Sequence, residues 1–150
     1  IRAFAIARAQ VDCRLVILGE GGERGLLQRQ VERSGLSYDI DLPGFCANPF
    51  ALMARAGAFV LSSRWEGFPN ALIEAMACGA PVIATDCPSG PNEILHDGIA
   101  PLVPVDDAAA LVEALVATLR RRPDTLATRA RAREFSVPAA VERYLQVLEA

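Results

Sequence analysis

Glu66 and Glu74 are separated by seven residues, Gly67-Phe68-Pro69-Asn70-Ala71-Leu72-Ile73, and together they could serve a ligand that carries hydroxyls and an anion. Glu74 is the only charged residue between Asn70 and Ala80, in a run that is otherwise small or apolar. A carboxylate inside an apolar helix demands a polar partner, because an unpaired charge away from water is costly. Ligand hydroxyls would supply that partner, and a buried ion pair with Arg64 is the alternative within the chain. Glu66 reads either as an acid facing a ligand or as a solvated loop carboxylate.

The elements that must position these acids follow from the punctuation around them. Pro69 suits a first helical turn, Asn70 is a capping type, Gly79 supplies a stop and Pro81 forbids continuation, which predicts a helix from Asn70 to Cys78 that is buried nearly all round. Ala58-Phe59-Val60-Leu61 reads as a buried strand, so Ser62 to Phe68 is the loop at its carboxyl end, where open α/β sheets bind ligands. The amides of that loop and of the first helical turn face outward with the positive end of the helix dipole, which suits a phosphate without a lysine. Gly67, Phe68, Pro69, Asn70 and Ala71 therefore serve through backbone shape and amides, and Gly67 is the position where a β-carbon would crowd a ligand.

Two further glycine loops fall at strand ends. Gly19-Glu20-Gly21-Gly22 lies between a strand and a helix, as a nucleotide loop does, but Arg24 breaks the dinucleotide fingerprint and a tight turn explains the glycines equally well. Pro43-Gly44-Phe45 closes another strand at the same sheet edge. Gly19, Gly21, Gly44 and Phe45 are thus candidate binding residues. Ser89-Gly90-Pro91 reads as a helix start that needs no ligand.

Strands and helices alternate along the chain. Helices are predicted at Ile1 to Gln10, Glu23 to Ser34, Pro49 to Arg55, Pro91 to Leu95, Asp107 to Arg121, Thr125 to Phe135 and Pro138 to Glu149. Strands are predicted at Arg14 to Leu18, Tyr38 to Leu42, Ala58 to Leu61, Val82 to Thr85 and Ala100 to Val103. This order predicts an α/β fold, a Rossmann-like, doubly wound parallel sheet with helices on both faces. The strands lack period-two polarity, as expected when both faces are covered.

Glu66-Gly67-Phe68-Pro69 followed by Glu74-Ala75-Met76-Ala77-Cys78-Gly79-Ala80-Pro81-Val82 resembles the nucleotide-sugar-binding half of the retaining group 1 glycosyltransferases with a GT-B fold. Leu15-Val16-Ile17-Leu18-Gly19-Glu20-Gly21, Leu42-Pro43-Gly44-Phe45, Cys87-Pro88-Ser89-Gly90-Pro91-Asn92-Glu93-Ile94-Leu95 and Asp97-Gly98 agree in order and spacing, so the resemblance covers nearly the whole chain. Where the family commonly has Gly-Leu after the Asp-Gly turn, this chain has Ala100-Pro101. The resemblance implies that Glu66 is the catalytic residue, lying beside the donor sugar and positioning it, and that Glu74 accepts hydrogen bonds from the ribose diol. It further implies a base held by backbone groups near Gly44 and Phe45, a nucleoside diphosphate sugar as donor with no cofactor or metal, and a sugar, lipid-linked or protein acceptor. On this resemblance, residues 1–150 form one C-terminal donor-binding domain. Its first strand and the N-terminal acceptor domain are expected to lie outside the chain, leaving the isolated piece inactive. A non-catalytic nucleotide-binding or assembly module of the same fold is the alternative, as is a GT-B relative performing epimerisation or phosphorolysis.

Composition sets bounds on this reading. About half of the 150 residues are hydrophobic, enough for one core, and the formal charge of −3 gives no support to a nucleic-acid partner. No apolar run of about 18 residues and no basic-then-apolar leader is present, which predicts a cytoplasmic location. Cys13, Cys46, Cys78 and Cys87 form no C-x-x-C pair and read as reduced thiols. His96, the sole histidine, reads as a surface residue at a helix end. Arg120, Arg121, Arg122, Arg129, Arg131 and Arg133 read as solvated helix faces beside Asp124, Glu134 and Glu142. The family's lipid-linked acceptors leave room for peripheral association with the inner face of a membrane.

Overall fold

Short apolar runs between glycine and proline stops give parallel strands with helical crossovers in the computed structural model, which describes residues 1–149. In chain order these are α1 (Arg2–Arg8), β1 (Leu15–Leu18), α2 (Arg24–Ser34), β2 (Ile40–Gly44), α3 (Phe50–Met53), β3 (Phe59–Leu61) and α4 (Asn70–Ala77). There follow β4 (Val82–Thr85), α5 (Pro91–Ile94), a 3-10 turn at His96–Gly98, β5 (Leu102–Val103), α6 (Ala108–Arg120), α7 (Leu126–Arg133) and α8 (Val137–Leu148). The expected α/β architecture is present, and every strand pairing is parallel.

The hydrogen-bonded sheet comes in two pieces. β1 pairs with β2, while β3, β4 and β5 pair in that order with Phe59 opposite Val82 and Ala84 opposite Leu102. No strand pairing joins the two pieces among the described residues. Helix α1 bridges them instead. Its Phe4 packs with Val31 and Ile40 under the first piece, and its Ala3 and Ala7 pack with Val112 and Val116 of α6. The main core lies under the second piece, where Leu72 and Met76 of α4 meet Val82, Ala84 and Ile94 with no exposed surface on the two α4 side chains. Burying two such side chains stabilises the fold by roughly 3–6 kcal/mol, so α4 is held to the sheet mainly by this face.

Local chemistry moves several element ends from their predicted places. β5 is two residues rather than four, because Pro101 has no N–H for the ladder, although its carbonyl still accepts from the Ala84 amide at 3.1 Å. β2 starts at Ile40 rather than Tyr38, since the Asp39 and Ile40 amides both turn back to the Leu36 carbonyl and Tyr38 is left in solvent. Asp107 caps α6 by accepting from the Ala110 amide at 2.9 Å, and Ser136 caps α8 by accepting from Ala139. At α4 the capping expectation fails: Pro69 occupies the N-cap, Asn70 is already helical, and no side chain caps the helix.

Candidate functional site

The Ser62–Phe68 loop leaves the carboxyl end of β3 and is fixed from beneath. The Thr85 hydroxyl on β4 donates to the carbonyls of Leu61 and Ser63, holding the chain as it leaves the strand. The Ser63 hydroxyl then donates to the Glu66 carboxylate at 2.6 Å, and the Glu66 amide reaches the Pro88 carbonyl at 3.4 Å. Glu66 is therefore an oriented, half-buried carboxylate rather than a freely solvated one. Gly90, at φ +91°, lets the next segment approach so closely that a β-carbon there would sit 2.4 Å from Pro69 Cδ. The positive φ and the contact both require glycine.

At the start of α4 the amides of Gly67, Phe68 and Ala71 take no acceptor among the described residues. Ala71 is an orphan donor of the first turn, which no side chain caps, and Gly67 and Phe68 are amides of the loop that leads into the Pro69 N-cap. An anion placed over them meets donors and the positive end of the helix dipole together.

Glu74 departs from its expected setting. Helix α4 is not buried all round: Asn70, Glu74 and Ala77 share one face at helical spacing, with Asn70 and Ala77 exposed and Glu74 half-buried. The face turned to Leu72, Ala75 and Met76 is the buried one. The carboxylate has no hydrogen-bond or ion-pair partner among the described residues, and access to water makes that tolerable. Arg64 is not its partner, because that guanidinium pairs with Asp106 at 3.1 Å. Glu74 is thus left available one turn beyond the free amides.

The glycine loops form a second group. The Gly19 amide donates to the Gly44 carbonyl at 2.8 Å, so the ends of β1 and β2 meet. Gly44 is buried at φ +82°, and a β-carbon on it would lie 2.3 Å from Glu20 Oε1. Arg24, the residue that breaks the dinucleotide fingerprint, ties the two loops together: it donates to Glu20 at 2.9 Å and to the Leu42 carbonyl at 2.8 Å. A cleft of about 210 Å³ opens there, lined in part by Leu18, Gly19, Glu20, Gly21 and Arg24. Gly21 has open space beside it, and Phe45 projects into solvent with 82% of its surface exposed. The structure brings Gly19 and Gly21 to one cleft, with Gly44 buried beside Gly19, and Glu66 through Ala71 with Glu74 to one loop and helix; among the described residues no hydrogen bond or ion pair joins the two groups.

Sequence reasoning missed Ser63, Arg24, Thr85 and Asp106 as supports. Ser63 was detectable as a hydroxyl three residues before an acid. Arg24 left a local trace in its i,i+4 spacing from Glu20, whereas its bond to Leu42 and the contacts of Thr85 and Asp106 reach across distant elements. Outside the site, no three His, Cys, Asp or Glu side chains among the described residues are grouped to hold a metal ion. No helix described is long and apolar enough to cross a membrane.

Comparison with known proteins places this arrangement. The family model described as Glycosyl transferases group 1 matches residues 1–121. An uncharacterized glycosyltransferase of Methanocaldococcus jannaschii is 41% identical over 96 residues, which cover 63% of this chain and 24% of that protein. The N-acetylgalactosamine-N,N'-diacetylbacillosaminyl-diphospho-undecaprenol 4-alpha-N-acetylgalactosaminyltransferase of Campylobacter jejuni is 39% identical over 116 residues, covering 77% of this chain and 31% of that one. Among solved structures, TarM superposes with a TM-score of 0.86 at 19% identity over 99% of this chain and 31% of its own. Anabaena HepE, crystallised with UDP and glucose, gives 0.83 at 22% over 99% of this chain and 44% of its own. The likeness to these structures is one of fold, the GT-B glycosyltransferase arrangement. The chain spans between about a quarter and a third of the length of these two sequence relatives.

Proposed function

Since the chain belongs to the glycosyl transferases of group 1, we propose that it is the donor-binding domain of a retaining enzyme that moves a sugar from a nucleoside diphosphate to a hydroxyl acceptor. A role in sugar transfer follows from the family; the donor, the stereochemistry and the residue roles are this proposal's content. The observation that carries it is the run from Glu66 to Glu74. An oriented carboxylate, three free amides and an unpaired carboxylate succeed one another along one loop and one helix.

Each part suits one region of a nucleotide sugar. The amides of Gly67, Phe68 and Ala71 and the dipole of α4 receive the diphosphate, whose negative charge grows as the glycosidic bond breaks. Donors that are already in place need no reorganisation at that moment, and so they favour the transition state over the ground state. Glu66, fixed by Ser63, stands beside the sugar and holds its hydroxyls. Glu74 accepts from the ribose diol, which gives the carboxylate the partners it lacks in the chain. Gly19, Gly21, Gly44 and Phe45 frame the base and the far side of the donor, with Arg24 keeping the two loops in register. UDP in the HepE complex makes a uridine nucleotide the first choice of ligand.

The acceptor, a sugar or a lipid-linked or protein hydroxyl, is bound outside these residues, and the products are polysaccharide, glycolipid or glycoconjugate. The Campylobacter jejuni relative acts on a sugar carried by diphospho-undecaprenol, which favours work at a membrane surface for the whole enzyme. Calorimetric titration of the chain with UDP, GDP and ADP tests the reading. Saturable binding of one nucleotide that disappears in Glu74→Ala is expected; binding untouched by that substitution would favour a nucleotide module without the proposed ribose contact.

A further inference from the structure

We propose that Arg131, on α7 and outside the residues matched by the family model, is a positioning residue that holds the Glu66–Asn70 loop in its ligand-binding shape through Phe135 and Phe68. The inference rests on the reading of that loop as the donor site. Only 18% of the Arg131 side chain is exposed, and every part of its guanidinium is engaged. Nη2 donates to the Glu93 carbonyl at 2.8 Å and Nε to the Ile94 carbonyl at 3.2 Å, satisfying the last turn of α5. Nη1 pairs with Glu134 at the C-cap of α7. The group lies over the Phe135 ring, with Cζ 4.7 Å from its centroid. That ring meets Phe68 at 5.8 Å between centroids, inclined by 57°.

One guanidinium therefore fastens two walls of the same loop. On one side is α5 and the turn before it, which touches Pro69 through Gly90 and Glu66 through the Pro88 carbonyl. On the other is Phe68, one residue before the N-cap of α4 and itself a contributor of a free amide. Phe68 is half-exposed, so core burial alone does not fix its position; the stack on Phe135 does. Two charge-assisted bonds to carbonyls and a stacked ring need the planar fork of arginine. A lysine keeps the charge and loses the arrangement.

Hydrogen exchange read by mass spectrometry on the chain with Arg131→Ala and Arg131→Lys tests this. The hydrogen-bonded amides of Glu66, Asn70 and Leu72 are expected to exchange about tenfold faster in both variants while β1 and β2 stay unchanged, as for a local opening that has lost a charge-assisted bond. Phe68→Leu is expected to reproduce the faster loop without disturbing α5. A loop rate equal to wild type in either folded variant, or an equal rise in β1 and β2, would overturn the proposal; the lysine variant decides if the alanine one does not fold. UDP gives a separate arm. Protection of the loop by UDP in wild type, weakened severalfold in Arg131→Lys, is expected. Absence of UDP protection in wild type would count against the donor-site reading, whereas the exchange rates without nucleotide decide the role of Arg131.

Discussion

Arg64 and Asp106, 42 positions apart in sequence, meet through two guanidinium nitrogens: Nε lies 3.2 Å and Nη2 3.1 Å from Oδ1. The pair ties the loop after β3 to the turn between β5 and α6. It also removes the one cation that sequence proximity offered to Glu74.

Glu74→Ala should separate ligand binding from folding. The side chain is half-buried and unpaired, so its loss is expected to change stability by no more than about 0.5 kcal/mol. Nucleotide affinity is expected to fall at least tenfold, the worth of about one charge-assisted hydrogen bond. A large fall in melting temperature with affinity intact would mean that the carboxylate serves the fold instead.

The Arg64–Asp106 pair itself is exposed on both sides, and removing Arg64 alone should cost only about 0.2–1 kcal/mol. Asp106 carries a second role, since its backbone sits at φ +60°. Alanine tolerates that conformation less well than aspartate, so Asp106→Ala should be worse than Arg64→Ala by about 1 kcal/mol. Denaturant unfolding of both variants checks it; equal losses would leave the ion pair as the whole effect.

Gly67 and Gly90 should behave in opposite ways. Nothing lies within 4 Å of a β-carbon at Gly67 and its φ is not positive, so Gly67→Ala should leave the fold unchanged. Any loss of nucleotide binding in that variant then reports a ligand crowded by the new methyl. Gly90→Ala meets both a left-handed φ and Pro69 at 2.4 Å, and should destabilise by about 2 kcal/mol or more. Comparable melting temperatures for the two would refute the close approach of that segment to α4.

A pH effect is expected at Cys13. Burial pushes its thiol above the ordinary value, with Arg8 opposing the shift, and the thiol donates to the Val11 carbonyl. The unfolded chain releases this proton at a lower pH than the folded one. The stabilisation is therefore complete below the ordinary thiol value and is lost as pH rises through the folded one. Urea midpoints measured from about pH 8 to pH 10 should fall in wild type and fall less in Cys13→Ala, in which the other cysteines are unchanged. Identical slopes would assign the alkaline loss to other groups.

Much of the site was legible because its parts are contiguous. The span from Glu66 to Glu74 lies on one loop and one helix, and the stops at Pro69, Gly79 and Pro81 place that helix to within a residue. Gly19 and Gly44 were identifiable as turns for the same reason, since each closes a strand whose apolar run is plain. The openness of α4 was not legible. An apolar helix says that it can be buried on every face, but only the packing of its neighbours determines which face has none.

The sequence by itself determined the alternation of elements and the position of both acids along the chain, because those depend on interactions within a few residues; the parallel pairing follows from that alternation, since each helical crossover returns the chain in the same direction. Tertiary structure decided which partners the charged groups take. Arg64 goes to Asp106 rather than Glu74, Arg24 clasps two loops, and Arg131 reaches α5 and the Phe135–Phe68 stack. A long side chain at a surface has several acceptors within its reach, and the choice among them depends on which distant element the sheet order brings beside it.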